Sequence, residues 1–401
     1  MTSATGKETN ANSASSLSPS ESVAAACDSR ETLNAMALAH INRFSLAGLL
    51  QLYRTLGSAT TVMEHRRNIR DVIPDASPKL IEMLADTDEA LRRAEEELLF
   101  DEKKGITPLP MNDPRYPQRL RECEDAPLVV YFRGSTDLNR KRIVNMVGTR
   151  QCTVYGRDAI RKFVGELRQL CPDVLIVSGL AYGVDICAHR EALDNGMETI
   201  GVLAHGLDMI YPSHHRETAS RMLQQGGLIT EFMSGTRPDK LNFVRRNRIV
   251  AGLSDACIVA ESAEKGGSLI TAGISRSYNR DVFAFPGRIG DPYSAGCNHL
   301  IRDNIAALVT SAADFAAAMG WETATQNTKN RREGIQQQLF PDLSPTEQTI
   351  VNTLSKNNDL QINILAVQSG IPIAQLTATL FEMEMKGMVK TLAGGTYHLI
   401  G

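Results

Sequence analysis

Hydrophobic positions along the chain change their period twice. Across residues 31–101 they recur at helical spacing: Leu33, Met36, Ala37 and Leu38 lead in, and Leu46, Leu49, Leu50, Leu52 and Tyr53 follow. No alternation of strand type interrupts, so four or five helices are predicted. The texture then shifts. Short β-branched runs at 142–147, 174–177, 199–203, 228–230, 256–260 and 282–285 alternate with helical stretches. Near-continuous apolar strands separated by helices predict a parallel sheet covered on both faces. Runs at 127–133 and 306–309 add a strand before the first and one after the last, about eight in all.

The second change follows a polar stretch at 323–338. Leu343-Ser344-Pro345-Thr346-Glu347 opens a helix, with Ser344 as its cap, Pro345 at the first position and Glu347 closing a capping box. Helices at 362–368 and 373–386 follow, then a hairpin of 388–391 and 396–399 around Gly394-Gly395. Three helices and a hairpin outline a winged helix. Residues 1–29 are rich in Ser, Thr, Ala and Asn and hold too little apolar surface to offset ordering entropy. The predicted organisation is a disordered tail (1–29), a helical domain (30–104), a doubly wound α/β domain (105–320), a linker (321–342) and a winged-helix-like domain (343–401).

Composition narrows the function classes. The chain has 401 residues, 42% hydrophobic and 22% charged, enough for two or three domains at about 150 residues each. A net charge of −3 excludes a global basic field. The charge is uneven, however: residues 60–104 hold 8 Lys/Arg against 12 Asp/Glu, and residues 237–250 hold 5 against 1. Seven cysteines, an odd number without C-x-x-C spacing, read as reduced thiols, not as a disulfide frame or zinc site. With no bilayer-length apolar run and no signal-peptide pattern, a cytoplasmic protein is expected.

In a doubly wound sheet, ligands sit beyond the carboxyl ends of the strands. Three glycine-bearing loops fall there: Gly148-Thr149-Arg150, Ser178-Gly179-Leu180-Ala181-Tyr182-Gly183 and Gly266-Gly267-Ser268. Such loops present backbone N–H groups and helix N-termini, which suit phosphate. A glycine after a strand also serves a tight turn alone; convergence in one crevice favours phosphate. The loops lack G-x-G-x-x-G spacing and no acidic residue ends the second strand, which argues against NAD. No P-loop occurs, and no cofactor is expected. His214-His215 lack a third ligand, so no metal is expected either.

Between the fourth and fifth of these strands lies Lys240-Leu241-Asn242-Phe243-Val244-Arg245-Arg246-Asn247-Arg248. Cations around an aromatic suit a single nucleic-acid strand, meeting phosphates while the ring stacks on a base. The same pattern also describes an amphipathic helix with Phe243, Ile249 and Val250 in the core. Asp185 and His189, four apart, read as a helix cap and a satisfied polar side chain, not an acid–base pair.

The ordered motifs resemble the bacterial DNA-processing protein A family (DprA, or Smf). They are Tyr116-Pro117 with Asp125-Ala126-Pro127, Val147-Gly148-Thr149-Arg150 with Tyr155-Gly156, Ser178 through Asp185 with Ala188-His189, Tyr211-Pro212, Phe243 with Arg246-Asn247-Arg248, Gly267-Ser268-Leu269-Ile270-Thr271-Ala272 and Phe285-Pro286-Gly287. The resemblance implies an extended Rossmann-like domain that binds single-stranded DNA, a SAM-like helical domain and a winged-helix-like module. It further implies a homodimer and loading of RecA recombinase during natural transformation. The resemblance places DNA contacts on Arg150, Ser178, Gly179, Lys240, Phe243, Arg246, Asn247, Gly267 and Ser268; the glycine loops and the basic cluster themselves add Gly148, Arg245, Arg248 and Gly266 to the expected DNA-binding set. Glu264-Lys265-Gly266-Gly267 departs from that family's acidic residue followed by Ser-Gly.

Two further readings compete. Nucleoside monophosphate phosphoribohydrolases, enzymes on a related fold, resemble P-G-G-x-G-T-x-x-E. Here Gly266-Gly267 is kept, but Gly273 and Ile274 follow where the Glu would act, so a binding protein without turnover is expected. A duplex-reading winged helix is disfavoured by its third helix, where Glu382 and Glu384 stand against Lys386.

Overall fold

A computed structural model describes residues 19–41, 46–322, 343–392 and 395–400. The chain forms two compact units, divided between Glu322 and Thr323. The first begins with helices α1 (Pro19–His40), α2 (Leu46–Leu56), α3 (Ala59–Glu64), α4 (Pro78–Ala85) and α5 (Asp88–Lys104). Ser58 and Ser77 cap α3 and α4, and Gly105, left-handed at φ 63°, ends α5. Helix α1 begins inside the expected tail, drawing residues 19–29 into helix. The rest of that tail, and 323–342 of the expected linker, lie outside the described residues.

A sheet of nine strands follows: β1 (Thr107–Pro110), β2 (Val129–Gly134), β3 (Ile143–Val147), β4 (Leu175–Ser178), β5 (Thr199–Val202), β6 (Gly226–Thr230), β7 (Ala256–Val259), β8 (Asp281–Ala284) and β9 (Ala307–Leu308). Their order is β1-β2-β6-β5-β4-β3-β7-β8-β9. Strands β3 to β9 are parallel, and β1 and β2 join antiparallel at one edge. All eight expected strands are present. The additional one, β1, reads TPLP; two prolines remove ladder donors, so it lacks a strand signature and occurs only at an edge.

Alternation along the strands builds a core on each face. Ile143, Val177, Val202, Cys257 and Val259 join Ile249, Val250 and Ala272 on one side. Val144, Met146, Ile176 and Ile258 join Phe163, Ala188 and Phe315 on the other. The covering helices are α6 (Gln118–Arg121), α7 (Val154–Leu170), α8 (Val184–Asp194), α9 (Arg216–Gln224), α10 (Lys240–Gly252), α11 (Gly267–Ser277), α12 (Ala295–Arg302) and α13 (Ala312–Ala318). Met36, Leu38 and Ala94 of the helical segment join the same core as β2, which makes these parts one unit.

The second unit has helices α14 (Pro345–Lys356), α15 (Ile362–Ser369) and α16 (Ile373–Met385), with strands β10 (Leu360–Gln361), β11 (Val389–Leu392) and β12 (Thr396–Leu399). The Ser344–Glu347 capping box is formed, and Lys386 meets Glu347 at 2.7 Å. Ile350, Leu354, Leu365, Leu376, Leu380 and Met383 fill its core. No single described helix is long and apolar enough to cross a membrane.

One buried acid gives the first unit a pH-dependent stability. Asp101, near the end of α5, is 1% exposed and neither carboxylate oxygen has a hydrogen-bond partner among the described residues. Burial, reinforced by Glu97, pushes its pKa up to about 8. The folded chain thus keeps a proton that the unfolded chain releases above about pH 4. The contribution of this group to stability falls as pH rises from about 4 to about 8, then levels off. Asp101→Asn should therefore raise stability at pH 8 and flatten the decline between pH 5.5 and pH 8. Denaturant titrations at the two pH values check this; an unchanged decline counts against it.

Candidate nucleic-acid interface

The parallel strand order reverses between β3 and β7, which opens a crevice at their carboxyl ends. The loops after β3 and β7, with the segment leading into α10, enclose a cleft of about 1150 Å³. Its base is stitched through backbone. The Thr149 N–H donates to the Glu261 carbonyl at 2.7 Å, and the Thr149 carbonyl accepts from Val184 N–H at 3.1 Å. Gly183 makes this approach possible: its φ is +80°, and a Cβ there would lie 2.1 Å from the Thr149 oxygen.

Helix α10, capped by Asp239 through the Leu241 N–H, brings the basic cluster to the cleft. Arg246 lies at the floor, 4% exposed. Its Nη1 donates to the carbonyls of Gly179, at 2.5 Å, and Val202. Burial lowers its pKa to about 10, against the opposing pull of Asp185, so it stays cationic at neutral pH. Asp185 is itself buried; burial pushes its pKa up, while Arg246 and the Ala181 N–H oppose that rise. A Cβ on Gly179 would sit 2.4 Å from Arg246 Nη2, so the glycine makes room for the guanidinium.

Around the rim, Arg150, Arg237, Lys240 and Lys265 are exposed, and none forms an ion pair among the described residues. Against these cations and Arg246 the lining holds two carboxylates, Asp185 and the helix-capping Asp239. Phe243 is half-buried, with the Arg150 guanidinium 5.3 Å from its ring centre and that of Arg246 at 5.9 Å. Tyr211 lies 6.0 Å away, tilted by 50° and 47% exposed. On the far wall α11 starts at Gly266 with no side-chain cap, so its positive dipole end faces the cleft. The Ser268 hydroxyl is turned to Ser262 Oγ at 2.8 Å.

Of the residues expected from the sequence, Gly148, Arg150, Lys240, Phe243, Arg246, Asn247, Gly266, Gly267 and Ser268 line this cleft. Ser178, Gly179, Arg245 and Arg248 do not. Ser178 is buried and donates to the Met146 carbonyl at 2.6 Å. Gly179 acts through Arg246, as above. Arg245 pairs with Glu231 at 2.8 Å, and Arg248, 4% exposed, pairs with the same carboxylate at 2.5 Å. Those two cations are already paired on other faces of α10, so of the basic residues of this cluster only Lys240 and Arg246 line the cleft.

Among the lining residues outside that set are Thr149, Tyr211, Arg237 and Lys265. Arg237 falls within the basic window 237–250, and Lys265 precedes the Gly-Gly pair, so proximity to the motifs was the available signal. The cap reading of Asp185 also changes. Gly183 is the N-cap of α8, and Asp185 is a buried counter-charge to Arg246. His189 Nδ1 lies 2.7 Å from Thr199 Oγ1, and burial keeps the ring neutral with a pKa of about 3.

Known proteins share this arrangement of elements. The family model described as DNA recombination-mediator protein A matches residues 107–320, and that of the DprA winged helix domain matches 336–395. DNA processing protein DprA of Streptococcus pneumoniae is 41% identical over 205 residues, 51% of this chain and 71% of that protein. The putative DNA processing protein DprA of Mycobacterium tuberculosis is 35% identical over 278 residues, 69% of this chain and 70% of the relative. The X-ray structure of DNA processing protein A from Streptococcus pneumoniae superposes with a TM-score of 0.55 at 32% identity. It covers 68% of this chain and 98% of that one.

Proposed function

Since the chain belongs to the DNA recombination-mediator protein A family, we propose that its cleft holds single-stranded DNA. Phosphates run past Arg150, Arg237, Lys240 and Lys265, above the fixed charge of Arg246. A base rests on Tyr211, the exposed ring at the mouth. The observation that carries this reading is the convergence on one crevice of cations from three separate segments, none with an ion-pair partner among the described residues, in a chain whose net charge is −3. Such contacts set affinity and register without reading sequence.

The family resemblance extends the proposal. The chain acts as a non-enzymatic cytoplasmic mediator that protects incoming DNA and loads RecA onto it during natural transformation. It works as a homodimer through the sheet domain, a reading supported by Leu308, 53% exposed on edge strand β9. The winged-helix unit serves as a protein contact. Its third helix, α16, shows Phe381 and Met385 at 66% and 76% exposure among acidic residues, which suits a protein surface better than a DNA groove.

The test is a titration with single- and double-stranded oligonucleotides at several salt concentrations. Single strands should bind at least about tenfold tighter, because duplex bases are already stacked and their rings are closed to Tyr211. Equal affinities would overturn the reading. RecA assembly on coated single strands and light scattering test the loading and dimer components separately.

A further inference from the structure

The segment that carries Arg237 and Lys240 into the cleft is held from outside by the N-terminal helical segment. On α5, Arg93 and Glu97 lie one turn apart and pair at 2.7 Å, with side chains 22% and 3% exposed. Both are committed to Ser234, in the loop between β6 and α10. Glu97 Oε1 accepts the Ser234 N–H at 2.7 Å, and Oε2 accepts its hydroxyl. Arg93 donates to the Ser234 carbonyl at 2.6 Å and to its Oγ at 3.1 Å. Every polar atom of Ser234 is thereby engaged by one turn of a single helix. Gly235 follows in the left-handed region, φ 78°, and two residues later the chain reaches the rim at Arg237.

A buried ion pair is a poor source of net stability, because desolvating both charges offsets their attraction. An apolar turn would pack α5 against the loop equally well; charged groups bonded to the loop backbone fix where that loop lies. We infer that Arg93 and Glu97 are positioning residues for the cleft, setting its outer wall from the helical segment. The inference rests on the single-strand reading of the cleft given above.

The test uses the full chain. In Glu97→Ala, amide hydrogen exchange across 233–242 should accelerate by about tenfold or more while α7 and α8 stay unchanged. The salt slope of single-strand binding should fall by about 0.7 to 1.4, the contribution of one or two phosphates. Glu97→Ala and Lys240→Ala should combine less than additively, whereas Glu97→Ala and Arg150→Ala, on opposite walls, should add. Glu97→Gln, which keeps an acceptor for the Ser234 N–H, should restore most of the exchange protection. If Glu97→Ala does not fold, Ser234→Ala, which keeps both backbone ties, should show a smaller form of each effect. Unchanged exchange at 233–242 overturns the inference, as does full additivity with Lys240→Ala. If Lys240→Ala and Arg150→Ala both leave binding unchanged, the cleft reading itself fails and takes this role with it; faster exchange in Glu97→Ala would then show only that α5 orders the loop.

Discussion

Arg246→Ala should destabilise the chain by about 1–3 kcal/mol, the usual cost of leaving buried polar groups unsatisfied, and should abolish single-strand binding by what remains folded. The guanidinium fills the space left by Gly179 and satisfies the carbonyls of Gly179 and Val202. Truncation leaves those acceptors buried without a donor. It also removes the charge that opposes the burial-driven rise of the Asp185 pKa. Arg246→Lys keeps the charge but not the planar fork that spans two carbonyls, and should recover only part of the loss. Denaturant unfolding of the three proteins measures this. A shift under about 1 kcal/mol, the ordinary scale of a surface change, would show that Arg246 is not the floor described here.

The rim should behave in the opposite way. Arg150→Ala with Lys240→Ala should leave the melting temperature nearly unchanged, as both are exposed and neither forms an ion pair among the described residues. The same double change should lower the salt slope of single-strand binding by about 1.4, from roughly 0.7 per lost phosphate. Tyr211→Ala should cost about 1–3 kcal/mol of affinity at constant slope. Phe243→Ala differs from it, because the Arg150 guanidinium lies over that ring. Losing the ring removes the surface that positions Arg150 as well as an aromatic face, so affinity and slope should fall together. A folded Arg150/Lys240 double variant with an unchanged slope would sink the site.

The sheet was legible because its strands are buried on both faces, and burial writes itself as runs such as Ala256-Cys257-Ile258-Val259. Strand β1 was not, because an edge strand in which Pro108 and Pro110 lack an N–H carries no apolar alternation and only half the usual donors. The site was legible where loop chemistry is local, as at Gly148, Arg150 and Gly267. It failed where a side chain's fate depends on distant partners. Arg245 and Arg248 look like free cations until Glu231, 14 and 17 residues away, is brought beside them. Helical spacing separates the faces of α10, but nothing in the chain order says which face meets a carboxylate. The ties from Arg93 and Glu97 to Ser234 span 141 and 137 residues and have no sequence signature at all.

Strand β1 has a consequence at the scale of many molecules. An open sheet of this length exposes two edge rows of backbone donors and acceptors, each a template for another chain's strand. At one end that template is spoiled by Pro108 and Pro110, which offer no N–H. At the other it is only two residues long, Ala307–Leu308, too short to register an incoming strand. The nine-stranded sheet is therefore blunted at both ends against runaway edge-to-edge association. A second copy that approaches β9 finds exposed side chains such as Leu308 instead of a ladder to extend, which favours a closed pair over a growing fibre.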